Sequence, residues 1–339
     1  MAKNQTHTYE EHPFAHYVRI LGKGKKGSRS LTEKEAIDAM SMILKDEVED
    51  LQLGAFLMLL RVKEESPEEL SGFVKAVKQS CPAPSDISAD LDWSSYAGKR
   101  RHLPWYLFSI FLLAQAGYRI FIHGASGHTA NRLYTENVLE ELGMPIADNW
   151  NAVRDQLGLQ GFSYLPLRYI STHLSNMINM RATLGLRSPV HSLSRLINPL
   201  NASTILQGIF HPAYSSMHQQ AGACLGYQHL AVIKGEGGEI ERNPDNAMTV
   251  LSSTLSKNGT ILNEECWPAM FPKRHVKAED MSTGHMKKIW RGEDEDEYAK
   301  GAVIGTAALA LKTLNVDLTQ QAALDKAASL WKHRNRDYV

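Results

Sequence analysis

Apolar residues recur at helical spacing through the first eighty positions of the chain. Thr32-Glu33-Lys34-Glu35 reads as a capping box, and the helix it opens carries Ile37, Met40, Ile43 and Leu44 on one face. Leu51, Ala55, Phe56, Met58 and Leu59 mark another helix. Ser66-Pro67-Glu68-Glu69 is a second start signal, followed by an apolar face of Leu70, Phe73, Val74 and Val77. Cys81-Pro82-Ala83-Pro84 interrupts the periodicity, which places a boundary near residues 81–90. Beyond it the pattern alternates. A buried helix is expected over 104–117, a strand over 118–122, and a helix over 131–142 closed by Gly143. A strand over 229–234 opens into Gly235-Glu236-Gly237-Gly238, a further strand covers 247–251, and helices cover 297–314 and 319–332. The pattern predicts an α/β fold with a small all-helical N-terminal domain, residues 1–85, and a larger α/β domain, residues 86–339, around a mostly parallel central sheet.

Composition narrows the class. With 339 residues, 43% apolar and 22% charged, the chain is ordinary globular material. That excludes a disordered, collagen-like or coiled-coil protein. The longest apolar stretch, 103–118, is interrupted by Pro104, Ser109 and Gln115 and falls short of the roughly 20 residues that span a bilayer. The N-terminal segment has no apolar core of a signal peptide. The expectation is a cytoplasmic protein with no membrane partner. Cys81, Cys224 and Cys266 are too far apart for a metal pair, and their odd number suggests no disulfide framework.

Charge changes the picture more. The 37 Lys and Arg balance the 37 Asp and Glu, so the chain is no polycation. The signs are segregated, however. Residues 33–92 hold fourteen acids against six bases; residues 93–235 hold eleven bases against five acids, and 156–235 contain no acid at all. Two explanations stand: a deeply buried region, or a face that binds phosphates of a small substrate or of a nucleic acid.

The run Gly54-Ala55-Phe56-Leu57-Met58-Leu59-Leu60-Arg61-Val62-Lys63, followed by Glu64-Glu65-Ser66-Pro67-Glu68-Glu69-Leu70, resembles the helical domain of anthranilate phosphoribosyltransferase and its relatives in the nucleoside phosphorylase superfamily, glycosyltransferase family three. Further motifs continue the resemblance over roughly residues 15–315: His123-Gly124 after a strand, Val138-Leu139-Glu140-Glu141-Leu142-Gly143, Asn198-Pro199-Leu200, and Gly235-Glu236-Gly237-Gly238. The mixture resembles the divergent YbiB-like branch. The resemblance implies a helical domain completed by a returning segment near 177–200, dimerisation through that domain, and association with nucleic acid.

The same resemblance implies that the family's phosphate-binding motifs are altered here. Where the family has Gly-Thr-Gly-Gly-Asp, this chain reads Trp93-Ser94-Ser95-Tyr96-Ala97-Gly98-Lys99-Arg100-Arg101-His102. Where a helix starts with small polar residues, it reads Pro104-Trp105-Tyr106-Leu107-Phe108. The family's paired metal acids read Ile240-Glu241, leaving Glu241 as a weak magnesium candidate. Gly98, His123, Gly124, Ser126, Arg181 and Arg187 stand as a residual ligand site, with Arg181 at the position that contacts the acceptor's carboxylate.

From the residues themselves, a basic groove is the leading candidate. Lys99, Arg100 and Arg101 with Tyr96 and Trp105 suit a run of phosphodiesters and stacked bases. Lys23, Lys25, Lys26 and Arg29, spaced by glycines, add a basic loop. The functional expectation is a family-three fold with reduced phosphoribosyl pyrophosphate and magnesium sites that binds nucleic acid, single strands favoured, as a homodimer. It needs no cofactor. The alternative is an active phosphoribosyl or glycosyl transferase with an altered acceptor, using magnesium and a phosphorylated small molecule. Phe56, Met58, Leu59 and Leu60 supply the apolar surplus from which the dimer is argued.

Overall fold

The computed structural model describes residues 10–24, 26–276 and 280–339. The candidate Lys25 lies outside the described residues. Helices Ala15–Gly22, Glu33–Leu44, Asp50–Lys63 and Pro67–Ser80 build the N-terminal bundle. Both expected capping boxes form. The Glu35 N–H donates to the Thr32 hydroxyl at 3.2 Å, and the Thr32 N–H donates to the Glu35 carboxylate at 2.8 Å. The Glu69 carboxylate reaches further. Besides the Ser66 N–H at 2.7 Å it accepts from the Leu31 N–H and from Lys63 Nζ, both at 2.8 Å, and so ties three helices together. Phe14, Phe56 and Phe73 meet edge to face in the core.

Helices Thr172–Asn179, Arg181–Leu184 and Val190–Leu193 return to this bundle, and Leu174, Ile178, Val190 and Leu193 join its core. Phe56 and Leu60, counted from sequence as surplus for a dimer, are buried inside the domain. Helix Asp50–Lys63 instead leaves Leu51 and Val62 exposed, at 89% and 81%.

The larger domain holds seven strands: β1 Leu91–Ser95, β2 Ile120–Gly124, β3 Phe162–Pro166, β4 Thr204–Ile209, β5 His229–Lys234, β6 Met248–Ser256 and β7 Gly259–Trp267. Their order is β3-β2-β1-β4-β5-β6-β7. The first five are parallel; β6 and β7 add antiparallel at one edge. Side chains alternate across the sheet, as a pleat requires. Leu91, Trp93, Ile120 and Ile122 face a core closed by helices Tyr106–Gln115 and Glu297–Leu314. Phe121, Leu165, Ile205 and Leu230 face the other core, where helices Trp150–Gln160 and Ser215–Cys224 cover the sheet and the apolar cluster continues into the helical domain.

The chain moves outward from β1 to β3, then crosses back to β4 on the other side of β1. Open parallel sheets bind ligands at such a reversal, outside the carboxyl ends of the strands. Gly98, Glu239 and Glu241 lie in loops that follow β1 and β5 at this end. Among the described residues no helix is long and apolar enough to cross a membrane.

Candidate anion site at the strand reversal

The loop after β1 points two backbone N–H groups at one spot. Those of Ala97 and Gly98 both donate, at 2.6 Å, to a single oxygen of Glu239. The Ser95 hydroxyl donates to the other oxygen at 2.8 Å. Successive amides of this kind form a nest for an anion, and here the anion is the chain's own carboxylate. Thr135 Oγ1 and the Tyr106 hydroxyl complete the knot, 2.6 Å apart. Glu239 reaches it because two neighbours lack side chains. A Cβ at Gly208 would sit 2.5 Å from the Glu239 carbonyl oxygen, and one at Gly235 would sit 1.5 Å from it. Burial pushes the Glu239 carboxyl upward, and the Gly98 and Ser95 hydrogen bonds pull it back.

A second carboxylate fills the adjoining donor set. Glu241 accepts from Lys99 Nζ and, at 2.9 Å, from the Tyr106 N–H at the start of helix Tyr106–Gln115. The helix terminus carries partial positive charge that favours this. Burial raises the Glu241 carboxyl, while Lys99 opposes the rise.

Several sequence expectations change on this geometry. Lys99 is no groove residue: it is buried and paired to Glu241. Tyr96 and Trp105 offer no stacking face, since both are fully buried. Trp105 packs against Phe108 at 5.7 Å, and Tyr96 donates its hydroxyl proton to His123 Nδ1 at 2.7 Å. His123 in turn lies 3.2 Å from Asp92 through Nε2. It is a buried link between β1 and β2 rather than a ligand contact, because no surface reaches it. Gly124 is a packing position, where a Cβ would strike the Ser95 carbonyl. The Gly98 amide is taken by Glu239, and Glu241 by Lys99. The Ser126 hydroxyl donates to Glu136 at 2.7 Å, and Arg168 pairs with the same carboxylate. Arg29 is exposed but forms a two-pronged pair with Glu35. Lys23, Lys26, Arg100 and Arg101 are exposed. No hydrogen bond or ion pair joins the 23–29 loop to Arg100 or Arg101 among the described residues.

Arg181 and Arg187, by contrast, belong to a cluster that sequence reasoning did not assemble. Both donate to Thr129 Oγ1, Arg187 at 3.3 Å. Arg132 donates to the carbonyls of Ala97 and Gly98 at 2.9 Å. Arg195 is buried and gives Nε to the Gly208 carbonyl at 3.1 Å and Nη1 to the His191 carbonyl. Among the described residues none of these four guanidiniums has a carboxylate within ion-pair distance. Burial, then Arg195, Arg132 and Arg181, press the Arg187 group down to about 10. Burial, then Arg187, Arg195 and Arg181, bring His128 down to about 4, and burial, then His128, Arg195 and Arg187, push His191 well below its ordinary value. The acid-free run 156–235 was the available signal. It supplies Arg181, Arg187 and Arg195, but only folding sets Arg132 and His128 beside them.

A family model described as the helical bundle domain of a glycosyl transferase family matches residues 16–81. Over 232 residues the chain is 26% identical to the uncharacterized protein YbiB of Escherichia coli, covering 67% of this chain and 72% of that one. It is 27% identical over 294 residues to an anthranilate phosphoribosyltransferase of Prochlorococcus marinus, covering 84% of each. The crystal structure of anthranilate phosphoribosyltransferase from Thermus thermophilus superposes with a TM-score of 0.75, covering 95% of this chain and 94% of that one; at 18% identity the likeness is one of fold.

Proposed function

We propose, for a chain that belongs to the anthranilate phosphoribosyltransferase and nucleoside phosphorylase superfamily (glycosyltransferase family three), a binding role on that scaffold, with single-stranded nucleic acid as partner and without phosphoribosyl transfer. The observation that carries the reading is the Glu239 carboxylate seated on the Ala97 and Gly98 amides and the Ser95 hydroxyl. A pyrophosphate would need those donors. On this reading the donor set does not fit a magnesium–pyrophosphate pair either. Glu241 is held by Lys99 and the Tyr106 amide, and a carboxylate neutralised by lysine is a poor magnesium ligand.

The partner follows from charge. Among the described residues Arg132, Arg181, Arg187 and Arg195 gather without paired carboxylates, and Arg100 and Arg101 are exposed bases. Guanidiniums left uncompensated favour a polyanion over a neutral ligand. The stacking residues proposed from sequence are in the core, so affinity rests on phosphate contacts. Four contacts, from Arg100, Arg101, Arg181 and Arg187, imply a log–log salt slope of about −3 on single strands. The measurement is anisotropy of labelled single-stranded DNA and RNA from about 50 to about 200 mM salt, beside the Arg181→Ala/Arg187→Ala variant. Equal affinity in parent and variant, or a slope near zero, removes the reading. Phosphoribosyl pyrophosphate with magnesium is expected to raise the melting temperature no more than inorganic phosphate does at the same concentration. A larger, magnesium-dependent saturable rise would put the transferase reading in front.

The same reading includes a homodimer through the helical domain, with exposed Leu51 and Val62 in the contact. Light scattering that returns a monomer at micromolar concentration would remove this part alone.

A further inference from the structure

Beside the arginine cluster lies a cavity of about 160 Å³. Arg61, Arg187, Ser188, His191, Arg195 and Tyr214 are among its walls. It falls below the roughly 300 Å³ at which ordinary small-molecule pockets begin. There is room for one small ion, not for a base and its sugar. Three guanidiniums line it. The one carboxylate on its wall, Glu65, is pushed toward its protonated form by burial.

Among the described residues two polar atoms here have no partner although their residues are more than nine-tenths buried: Ser188 Oγ and His191 Nε2. Buried polar atoms are nearly always satisfied, so each such atom needs an explanation. The Arg195 Nη2 group also makes no hydrogen bond among the described residues. His191 specifies what is missing. Its Nδ1 lies 3.3 Å from the Ser188 carbonyl, an acceptor, so Nδ1 carries the ring hydrogen. Nε2 therefore presents a lone pair. Burial first, then His128 and the surrounding arginines, keep the ring neutral. The wall thus offers both cationic donors and a neutral acceptor. Its complement is an oxyanion that also bears an O–H group.

We propose that this cavity is a subsite for one protonated phosphoryl group, whose anionic oxygens take the Arg187, Arg195 and Ser188 donors and whose P–O–H donates to His191 Nε2. A carboxylate, a sulfate and an internal phosphodiester all lack that hydrogen near neutral pH. Inorganic phosphate and a terminal phosphate monoester both carry it, the monoester increasingly toward its second pKa of about 6. Only the choice of the strand end as the source rests on the nucleic-acid reading above.

The experiment is a thermal-shift titration of the full chain with inorganic phosphate and with sulfate at matched ionic strength. Phosphate is expected to raise the melting temperature saturably, with half-saturation at or below about 1 mM, and sulfate to do so at least about tenfold less effectively. In His191→Phe the preference for phosphate over sulfate disappears. Because that change also alters packing, Ser188→Asp is measured as well. It adds a carboxylate to the wall that carries Arg187 and Arg195, so the protein is expected to melt no lower than the parent and to ignore phosphate. Oligonucleotides with and without a 5′-phosphate separate the sources. About tenfold tighter binding of the phosphorylated strand assigns the strand end; equal binding with the phosphate response intact assigns the free ion. If phosphate performs no better than sulfate, the subsite is overturned even where oligonucleotides bind. If phosphate binds and oligonucleotides do not, the nucleic-acid reading falls and the subsite stands.

Discussion

Acidification from pH 7 to about pH 5 is expected to remove about 2–4 kcal/mol of folding stability. The source is a set of histidines that the fold holds neutral. His218 is fully buried, paired through Nδ1 with the Gln207 amide oxygen at 2.8 Å, and lowered to about 3 by burial and by Arg195. His191 is well below its ordinary value for similar reasons, and His128 is lowered to about 4. In the unfolded chain each titrates near 6.5. Between that value and the folded ones the unfolded state binds more protons, so stability falls as pH falls. At about pH 5 a histidine kept neutral costs about 2 kcal/mol, at 1.36 kcal/mol for each unit below 6.5. Two groups of residues oppose this. The buried carboxyls Glu65, Glu239 and Glu241 are raised and take protons earlier than their unfolded counterparts. His275, between Asp245 and Glu297, is raised and gains stability in acid, but it stands near the surface. The net figure allows for both. Urea denaturation at the two pH values, in chloride buffers, provides the check. Stability that holds or rises on acidification would contradict the assignment, and His191→Phe should flatten the dependence.

Lys99→Ala is expected to cost about 3–5 kcal/mol, because it strands the Glu241 carboxylate in the core. Its sequence neighbours behave differently. Arg100→Ala and Arg101→Ala fall at exposed positions and should stay within about 0.5 kcal/mol of the parent. Lys99→Met combined with Glu241→Leu should recover a large part of the loss, since it removes both charges together. The Tyr106 amide then loses its acceptor, so recovery is incomplete. Urea midpoints of the five proteins decide the matter. A Lys99→Ala protein within about 1 kcal/mol of the parent would mean that the pair is not buried as described. The contrast bears on function too: a triple alanine variant of 99–101 would report unfolding as lost binding.

How far the sequence could be read depended on what each signal measures. Capping boxes are local, and both stand at Thr32 and Ser66 as expected. The helix over Tyr106–Gln115 and the strand over His229–Lys234 declared themselves by composition and length. Strands β3 and β4, Phe-Ser-Tyr-Leu-Pro and Thr-Ile-Leu-Gln-Gly-Ile, are short and buried on both faces, so they lack the alternation that marks a half-exposed strand. β1 is hidden for another reason: Trp93-Ser94-Ser95 runs directly into the loop motif, which begins only at Tyr96. Lys99-Arg100-Arg101 shows the limit for charge. Three consecutive bases look equivalent until a partner 142 positions away in sequence selects the first of them. Glu239 stands just before the Ile240-Glu241 pair, and no linear pattern announces that its carboxylate will return to amides 141 and 142 positions earlier.

The Glu239 carboxylate also sets terms for any solute that would enter the Ala97–Gly98 nest. A ligand tethered to its own receptor competes at an effective concentration that is already millimolar for a short flexible linker. Glu239 is fixed more tightly than that, on a loop pinned against Gly208 and Gly235 where no side chain leaves slack. A free phosphate ester at ordinary cellular levels therefore meets a competitor that never dilutes. Occupancy from outside becomes a question of loop opening rather than of affinity, and the nest is kept closed by a rival encoded in the same chain.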